Sequence, residues 1–317
     1  MLIVLTETEA KSGISLQELR GKQVWITGAG GFIGSELVSV LAGAGAIIHP
    51  YKGDVSKPGE VTSSLREANP DVLVNLAAPV DVRRDPQLQA LMERTILGGL
   101  RTILDGAESL GTAPLLLQCG TCEEYGAIPT PFSEDDEPGG PVSPYAAAKL
   151  AASNEALERR PGSAVRCIVA RPFLTYGPGQ RGRQLIPTAI RAALERRPFP
   201  MTSGEQTREF NHVSDIALDL AGLLCCPEAE GQIVNLGCGE EQRVLDVVRL
   251  IFRLAGAPED LIEVGALEHR DAEILRFYAD VSRSRRLLGK RPRLSLREGL
   301  TQTIETIGSR MAAGEAS

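Results

Sequence analysis

Short apolar runs alternate with amphipathic segments along the first half of the chain, from Gln23 to about residue 176. The apolar runs predict strands over 24–27, 46–49, 72–76, 115–119 and 165–170. The segments between them have helical spacing over 34–44, 61–68, 88–110 and 145–159. Continuous apolar strands separated by helices are typical of a parallel sheet that is covered on both faces. The pattern therefore predicts an α/β fold with a Rossmann-type, doubly wound sheet.

The pattern loosens after Gly177, where proline, glycine and arginine become frequent. Helical spacing returns over 213–224, 244–255 and 296–307. Because no clean linker separates the two halves, we interpret the second as a smaller mixed lobe with interleaved returns to the sheet. The predicted organisation is a lead-in over 1–21, a main domain over 22–176, a C-terminal lobe over 177–308 and a tail over 309–317.

Composition excludes some partners and favours others. The net charge of −7 argues against nucleic acid or an anionic membrane as the main partner. The start of the chain lacks a basic leader, and no run approaches the roughly 20 apolar residues of a membrane-spanning helix. The six cysteines do not have disulfide-framework spacing, and the three histidines do not have metal-ligand spacing. We therefore expect a cytoplasmic protein without a bound metal.

A glycine-rich turn follows the first predicted strand and opens the first predicted helix. Gly28, Gly31 and Gly34 have the spacing G-x-x-G-x-x-G. Glycine allows the tight turn, lets backbone N–H groups approach a pyrophosphate at the positive helix end, and lets helix and strand pack closely. Phe32 and Ile33 open the helix between the second and third glycines. The strand–turn–helix context predicts dinucleotide binding in the main domain.

The end of the second strand bears on which dinucleotide is bound. A carboxylate there accepts hydrogen bonds from the adenosine ribose and favours NAD. This chain has no acid at that strand end, and Lys52 lies nearby. We therefore predict NADP, with NAD as the alternative. Asp54 is placed to accept a hydrogen bond from the adenine amino group, although it could also cap the helix that follows Lys57.

A second constellation carries acid–base chemistry. Tyr145 and Lys149 are four residues apart and therefore share one helix face. A nearby ammonium favours the phenolate, so Tyr145 is expected to have a lowered pKa and to act as a general acid/base at a carbinol or ketone oxygen. Thr121 follows the strand 115–119, where its hydroxyl can position the same oxygen.

Taken together, the motifs resemble the extended short-chain dehydrogenase/reductase family, in its nucleotide-sugar epimerase/dehydratase branch. They are TGAGGFIG at 27–34, GDV at 53–55, NLAA at 75–78, GTCEEYG at 120–126, YAAAK at 145–149, RPFLTYGPGQ at 171–180, REFNHVSDIA at 208–217 and YADVSRSRRLLG at 278–289. The resemblance implies a catalytic triad of Thr121, Tyr145 and Lys149. It also implies cofactor contacts from Val55, Leu76, Ala77 and Ala78, and a homodimer formed through the helices 88–110 and 145–157.

The resemblance further implies that the C-terminal lobe binds the nucleotide sugar. Arg208 and Arg270 match arginines that meet the substrate diphosphate, and Arg183 is a weaker candidate near the nucleotide. Bidentate arginine suits phosphate oxygens. Leu174 stands where the family usually has an asparagine for the substrate phosphate, so the diphosphate must be held by other groups.

The same resemblance leaves the reaction open. Sugar dehydratases often have Thr-Asp-Glu where this chain has Thr121, Cys122 and Glu123, and their Asp protonates the departing hydroxyl. Cys122 is a poorer acid, which weakly favours a reductase, whereas Glu123, which in those enzymes removes a proton from C5, is retained. Dehydratases and epimerases keep and recycle their NAD, but a reductase consumes NADPH and releases it, so the missing acid at the end of the second strand also favours a reductase. We therefore predict a reductase that acts at C4 of a 4-keto-6-deoxy nucleotide sugar. The alternatives are a C4 epimerase or 4,6-dehydratase with tightly bound NAD and, more remotely, a non-catalytic dinucleotide sensor.

Overall fold

The computed structural model describes residues 15–159, 162–180, 184–268, 274–290 and 293–314. Its centre is a six-stranded parallel sheet with the order β10-β5-β4-β3-β1-β2. These strands are β1 (Gln23–Thr27), β2 (Ile47–Tyr51), β3 (Val72–Asn75), β4 (Leu115–Cys119), β5 (Arg166–Pro172) and β10 (Ile233–Leu236). The strand order reverses beside β1, and the predicted Rossmann-type fold is confirmed.

Helices cover both faces of this sheet. They are α1 (Phe32–Gly43), α2 (Pro58–Ala68), α3 (Gln89–Met92), α4 (Gly99–Glu108), α5 (Pro144–Glu158) and α7 (Val213–Leu223). Strand side chains alternate between the two faces, which is the period of two that a strand imposes. In β1, Val24 and Ile26 pack with α1 and α7, whereas Trp25 packs on the opposite face with α2, α4 and α5.

The second lobe has its own apolar core, formed by α6 (Leu185–Leu194), α8 (Val244–Leu254) and α10 (Leu296–Ala312). Short strands surround it: β6 (Thr175–Tyr176) with β9 (Asn211–His212), β7 (Phe199–Met201) with β12 (Ile262–Val264), and β8 (Thr207–Arg208) between β11 (Gln242–Arg243) and β13 (Arg276–Phe277). The helix α9 (Ser282–Leu288) lies beside β10.

The structure refines the predicted elements in three places. The helical stretch 88–110 contains a π-helical segment, Glu93–Gly98, between α3 and α4. Both α7 and β10 come from beyond residue 177 and complete the main domain. The helix α10 continues to Ala312, past residue 309, where the tail is predicted to start. Among the described residues, no helix is long and apolar enough to span a membrane.

Candidate active site

The glycine turn has the geometry that its spacing predicts. Gly28 adopts a φ of +70°, and a Cβ there would lie 3.0 Å from the carbonyl carbon of Leu76. A Cβ on Gly34 would lie 2.0 Å from the carbonyl oxygen of Gly28. Gly31 is the N-cap of α1 and has no side chain to satisfy the first N–H groups of that helix. These features fit a dinucleotide phosphate at the start of α1, beside Phe32 and Ile33.

The loop after β2 is organised by hydrogen bonds within the loop. Lys52 is exposed, and the Asp54 carboxylate accepts hydrogen bonds from Ser56 N at 2.9 Å and from Ser56 Oγ at 2.7 Å. These bonds lower the pKa of Asp54. The helix α2 begins after Lys57, so the Asp54 side chain closes a turn and does not cap the helix. Val55 is buried, and its Cγ2 would lie 2.6 Å from a Cβ on Gly99, so its side chain packs in the core.

A buried chain of polar side chains crosses the carboxyl ends of β1, β3 and β4. Thr27 Oγ1 donates to Asn75 Oδ1 at 2.8 Å and accepts from Ala77 N at 3.0 Å. Asn75 Nδ2 donates in turn to Gln118 Oε1 at 2.8 Å. This chain fixes the loop of Leu76, Ala77 and Ala78 against the glycine turn.

The helix α5, which carries Tyr145 and Lys149, lies beside this polar chain. Ser143 caps it by accepting a hydrogen bond from Ala146 N at 3.1 Å. Lys149 is buried, and its Nζ donates to the carbonyl oxygen of Cys119 at 2.7 Å while lying 6.0 Å from the centre of the Tyr145 ring. The helix thus places Tyr145 and Lys149 on one face, at the end of β4.

The ionisation of Tyr145 differs from the expectation. We expected the Lys149 ammonium to lower the pKa of the phenol, but burial raises that pKa well above its ordinary value. The neighbouring Cys119 and Cys122 raise the Tyr145 pKa further, and a hydrogen bond with the side chain of Thr121 lowers it. Tyr145 is therefore a protonated phenol at neutral pH, which is the form that donates a proton.

Thr121 and Cys122 lie next to Tyr145 and are both buried. Burial is the main cause that raises the pKa of the Cys122 thiol well above its ordinary value, and Glu123 and Glu209 add to it. The thiol is thus protonated and a very weak acid. Glu123 is only partly buried and follows Cys122 in the short 3-10 helix Cys122–Tyr125.

Residues 24–237 match the model of the NAD dependent epimerase/dehydratase family. The chain belongs to this family. A dTDP-glucose 4,6-dehydratase of Streptomyces griseus is 30% identical over 309 residues, which cover 88% of this chain and 92% of that protein. A GDP-6-deoxy-D-mannose reductase of Pseudomonas aeruginosa is 26% identical over 306 residues, covering 92% and 98%. The solved structure of RMD from Pseudomonas aeruginosa complexed with NADPH has a TM-score of 0.81 and 25% identity, covering 91% and 99%.

Membership of the epimerase/dehydratase family confirms an enzyme of the extended short-chain dehydrogenase type. It also confirms the nicotinamide dinucleotide class, since the family is NAD dependent. The relatives differ in the reaction that their names state, so the specific reaction is not decided by similarity.

Of the predicted substrate arginines, the structure describes Arg208. Its Nη1 donates to the carbonyl oxygens of Thr207 at 2.8 Å and of Leu275 at 3.3 Å, and its guanidinium lies 5.8 Å from the centre of the Phe277 ring. These contacts hold the partly buried arginine on β8. Arg183 and Arg270 lie outside the described residues.

Several buried polar residues near Thr121 and Cys122 were not singled out from the sequence. Glu124 and Arg171 form an ion pair at 2.8 Å, with side-chain exposures of 0% and 2%. Glu209 is also fully buried, and its pKa is raised to about 7, mainly by burial. The spacing Thr-x-x-Glu at 121–124 is a capping-box signature, which would have identified Glu124.

Proposed function

We propose that this enzyme reduces the C4 ketone of a 4-keto-6-deoxy nucleotide sugar with NADPH. When bound, the nicotinamide cofactor supplies the hydride that joins the ketone carbon. Tyr145 donates its phenolic proton to the ketone oxygen, so that the ketone becomes a hydroxyl group. A buried, protonated phenol suits this direction, because reduction needs a proton donor at the start.

The residues around Tyr145 have separate roles in this proposal. The Thr121 hydroxyl orients the ketone oxygen towards Tyr145. Lys149 supplies a positive charge beside the phenol and stabilises the phenolate that remains after proton transfer. Arg208, held by the carbonyl oxygens of Thr207 and Leu275, binds a diphosphate oxygen of the substrate.

The single observation that carries the choice of reaction is Cys122. Elimination of water from a sugar needs an acid that protonates the departing hydroxyl, and the resemblance assigns that role to the aspartic acid of sugar dehydratases. The group at this position is the buried thiol of Cys122, which takes the place of that carboxylic acid. This makes a dehydratase with the usual acid a poor fit, whereas ketone reduction does not use Cys122.

The features that favour NADPH are at the end of β2. The strand carries His49 and Tyr51 and no carboxylate, and the exposed Lys52 follows at once. An ammonium there attracts a 2′-phosphate, and the strand itself carries no carboxylate that would bind the ribose hydroxyls of NAD. The glycine turn would hold the pyrophosphate of the same cofactor through the backbone N–H groups at the start of α1.

A dehydratase remains the second candidate because the relative with 30% identity carries that name. Glu123, which the resemblance pairs with proton removal, is present in this chain. A C4 epimerase shares with the dehydratase a need to retain its NAD. Cofactor retention therefore separates the proposed reductase from both alternatives.

The experiment is to identify the cofactor released on denaturation and then to assay the purified protein. We expect little bound cofactor, tighter binding of NADPH than of NADH, and NADPH oxidation with a dTDP- or GDP-linked 4-keto-6-deoxy sugar. Tightly bound NAD, together with turnover of dTDP-glucose or UDP-glucose, would overturn the proposal. Sedimentation of the same sample tests the homodimer that we expect from α4 and α5.

A further inference from the structure

A buried ion pair lies directly behind Thr121. Arg171 comes from β5, and its Nε donates to Glu124 Oε2 at 2.8 Å. Both side chains are almost fully buried, with exposures of 2% and 0%. Removing two charges from water is costly, and the cost is offset only when other hydrogen bonds complete the pair.

The second oxygen of Glu124 supplies such a bond. Glu124 Oε1 accepts a hydrogen bond from the backbone N of Thr121 at 2.8 Å. Thr121 in turn caps the 3-10 helix, because its Oγ1 accepts from Glu123 N at 3.4 Å. One carboxylate therefore links the guanidinium of Arg171 to the backbone of Thr121.

Further contacts hold the pair rigidly in place. The Arg171 guanidinium lies 4.5 Å from the centre of the Tyr125 ring, and Tyr125 OH donates to Asn235 Oδ1 at 2.7 Å. Asn235 Nδ2 donates to the carbonyl oxygen of Phe132 at 3.0 Å. The ion pair is thus enclosed by side chains from β5, β10 and the 3-10 helix.

The backbone before Thr121 approaches the same carboxylate closely. A Cβ on Gly120 would lie 2.5 Å from Glu124 Oε1 and 3.2 Å from Cγ of Arg171. It would also lie 3.1 Å from Oγ of Ser153, which is on α5 one turn beyond Lys149. Position 120 must therefore be glycine for the carboxylate to reach Thr121.

We propose that Glu124 and Arg171 are positioning residues, which hold the Thr121 hydroxyl against Tyr145. The ion pair fixes the carboxylate, the carboxylate fixes the Thr121 backbone, and the backbone fixes the direction of the hydroxyl. This inference rests on the proposed reductase activity for its kinetic test, but its structural part does not.

The kinetic test uses Glu124→Gln, which keeps an oxygen acceptor and removes the charge. A misplacement of the Thr121 hydroxyl lowers kcat, and we expect a loss of about tenfold, with KM for the keto sugar changed less than about twofold. Thr121→Val should lower kcat as well. The double variant should be no slower than Thr121→Val alone, because Glu124 acts through Thr121.

Two further variants keep the test informative where Glu124→Gln folds poorly. The pair Glu124→Leu/Arg171→Met removes both charges together, which buried sites often tolerate. We expect it to fold and to lose kcat as Glu124→Gln does. The matched control is Glu230→Gln, since Glu230 pairs at 2.6 Å with Arg166 at the other end of β5, with Arg166 49% exposed. The control should leave kcat unchanged.

A readout that does not need turnover separates this inference from the proposed function. The chain has five tyrosines, so 3-fluorotyrosine gives a simple ¹⁹F spectrum in which Tyr145→Phe assigns one resonance. Glu124→Gln and Thr121→Val should each move the Tyr145 resonance, and Glu230→Gln should not. A Tyr145 resonance that moves with Thr121→Val but stays fixed in folded Glu124→Gln would overturn the positioning role. Additive kinetic losses in the Thr121/Glu124 double variant would overturn it as well.

Discussion

The glycine turn at 28–34 lies at the same edge of the sheet as a corner formed by Thr121, Glu124, Tyr145, Lys149 and Arg171. The two regions are formed by different kinds of groups. The turn is made of backbone, and its fit depends on the missing side chains of Gly28 and Gly34. The corner is made of buried polar and charged side chains, among them Glu124, Arg171 and Lys149. The turn therefore has no room for a side chain at Gly28 or Gly34, whereas the corner is destabilised when one buried polar group loses its partner.

The largest expected effect belongs to the corner. Tyr145→Phe removes only the phenolic oxygen of a buried ring, so the fold should persist while the proton donor is lost. We expect kcat to fall by about 10³-fold. NADPH affinity, measured by fluorescence titration, should change little. A variant with more than about a tenth of the parent kcat would contradict the role of Tyr145 as the proton donor.

The second largest expected effect is on the free energy of unfolding, and it comes from the buried carboxylate of Glu209, beside Cys122. The pKa of Glu209 is raised from 4.5 to about 7, so the folded protein holds this proton more tightly than the unfolded chain. The contribution of Glu209 to the free energy of unfolding is therefore greatest below about pH 4.5. It falls by about 3 kcal/mol in total as the pH rises to about 7. In Glu209→Gln, this decline in the free energy of unfolding with rising pH should be absent.

The measurement is the free energy of unfolding in urea at several pH values, for the parent and for Glu209→Gln. Burial lowers the pKa of His212, so the contribution of this group to stability changes with pH in the opposite direction. The difference between parent and variant cancels that contribution. Parallel stability curves for the two proteins would contradict a raised pKa at Glu209.

The third prediction concerns the stability of the protein when a methyl group is added in the glycine turn. Gly34→Ala places a methyl group 2.0 Å from the Gly28 carbonyl oxygen, and we expect a loss of about 1–3 kcal/mol in the free energy of unfolding. Gly30→Ala is the matched control, because a Cβ there meets nothing within 4 Å. Thermal unfolding without cofactor compares the two. Equal melting temperatures would show that the turn relaxes more easily than its geometry indicates.

The smallest effect concerns the choice of cofactor. Lys52→Glu places at the end of β2 the negative charge that favours NAD, and we expect the NADPH-to-NADH preference to fall by about tenfold. Lys22→Glu, at the opposite edge of the sheet beside Asp71, should leave the preference unchanged. The ratio of the two dissociation constants is the measurement. An unchanged ratio in Lys52→Glu would remove Lys52 from the cofactor site.

The features that the sequence predicted correctly are those that depend on residues close together in the chain. The strand periodicity and glycine spacing are local patterns, so they predicted the sheet, the turn and the helix that follows it. The pairing of Tyr145 and Lys149 is also local, because one helix carries both. The predicted lowering of the Tyr145 pKa was wrong for this structure, since burial depends on residues distant in the chain.

The ion pair behind Thr121 shows why the rest was not predictable. Glu124 and Arg171 are 47 residues apart, and Tyr125 meets Asn235 across 110 residues. Only the folded sheet brings β4, β5 and β10 side by side. The capping-box spacing points to Glu124, but a single sequence carries no signal for its contact with Arg171, so the pattern did not show that the two charges are buried together.

The most direct test of the central claim follows deuterium from NADPH labelled at the transferable position. The purified protein is incubated with a 4-keto-6-deoxy nucleotide sugar, and the product is analysed by NMR and mass spectrometry. We predict one deuterium at C4 of the product for each NADPH consumed. A product without deuterium, or sugar turnover without NADPH consumption, would contradict the assignment of this enzyme as a reductase.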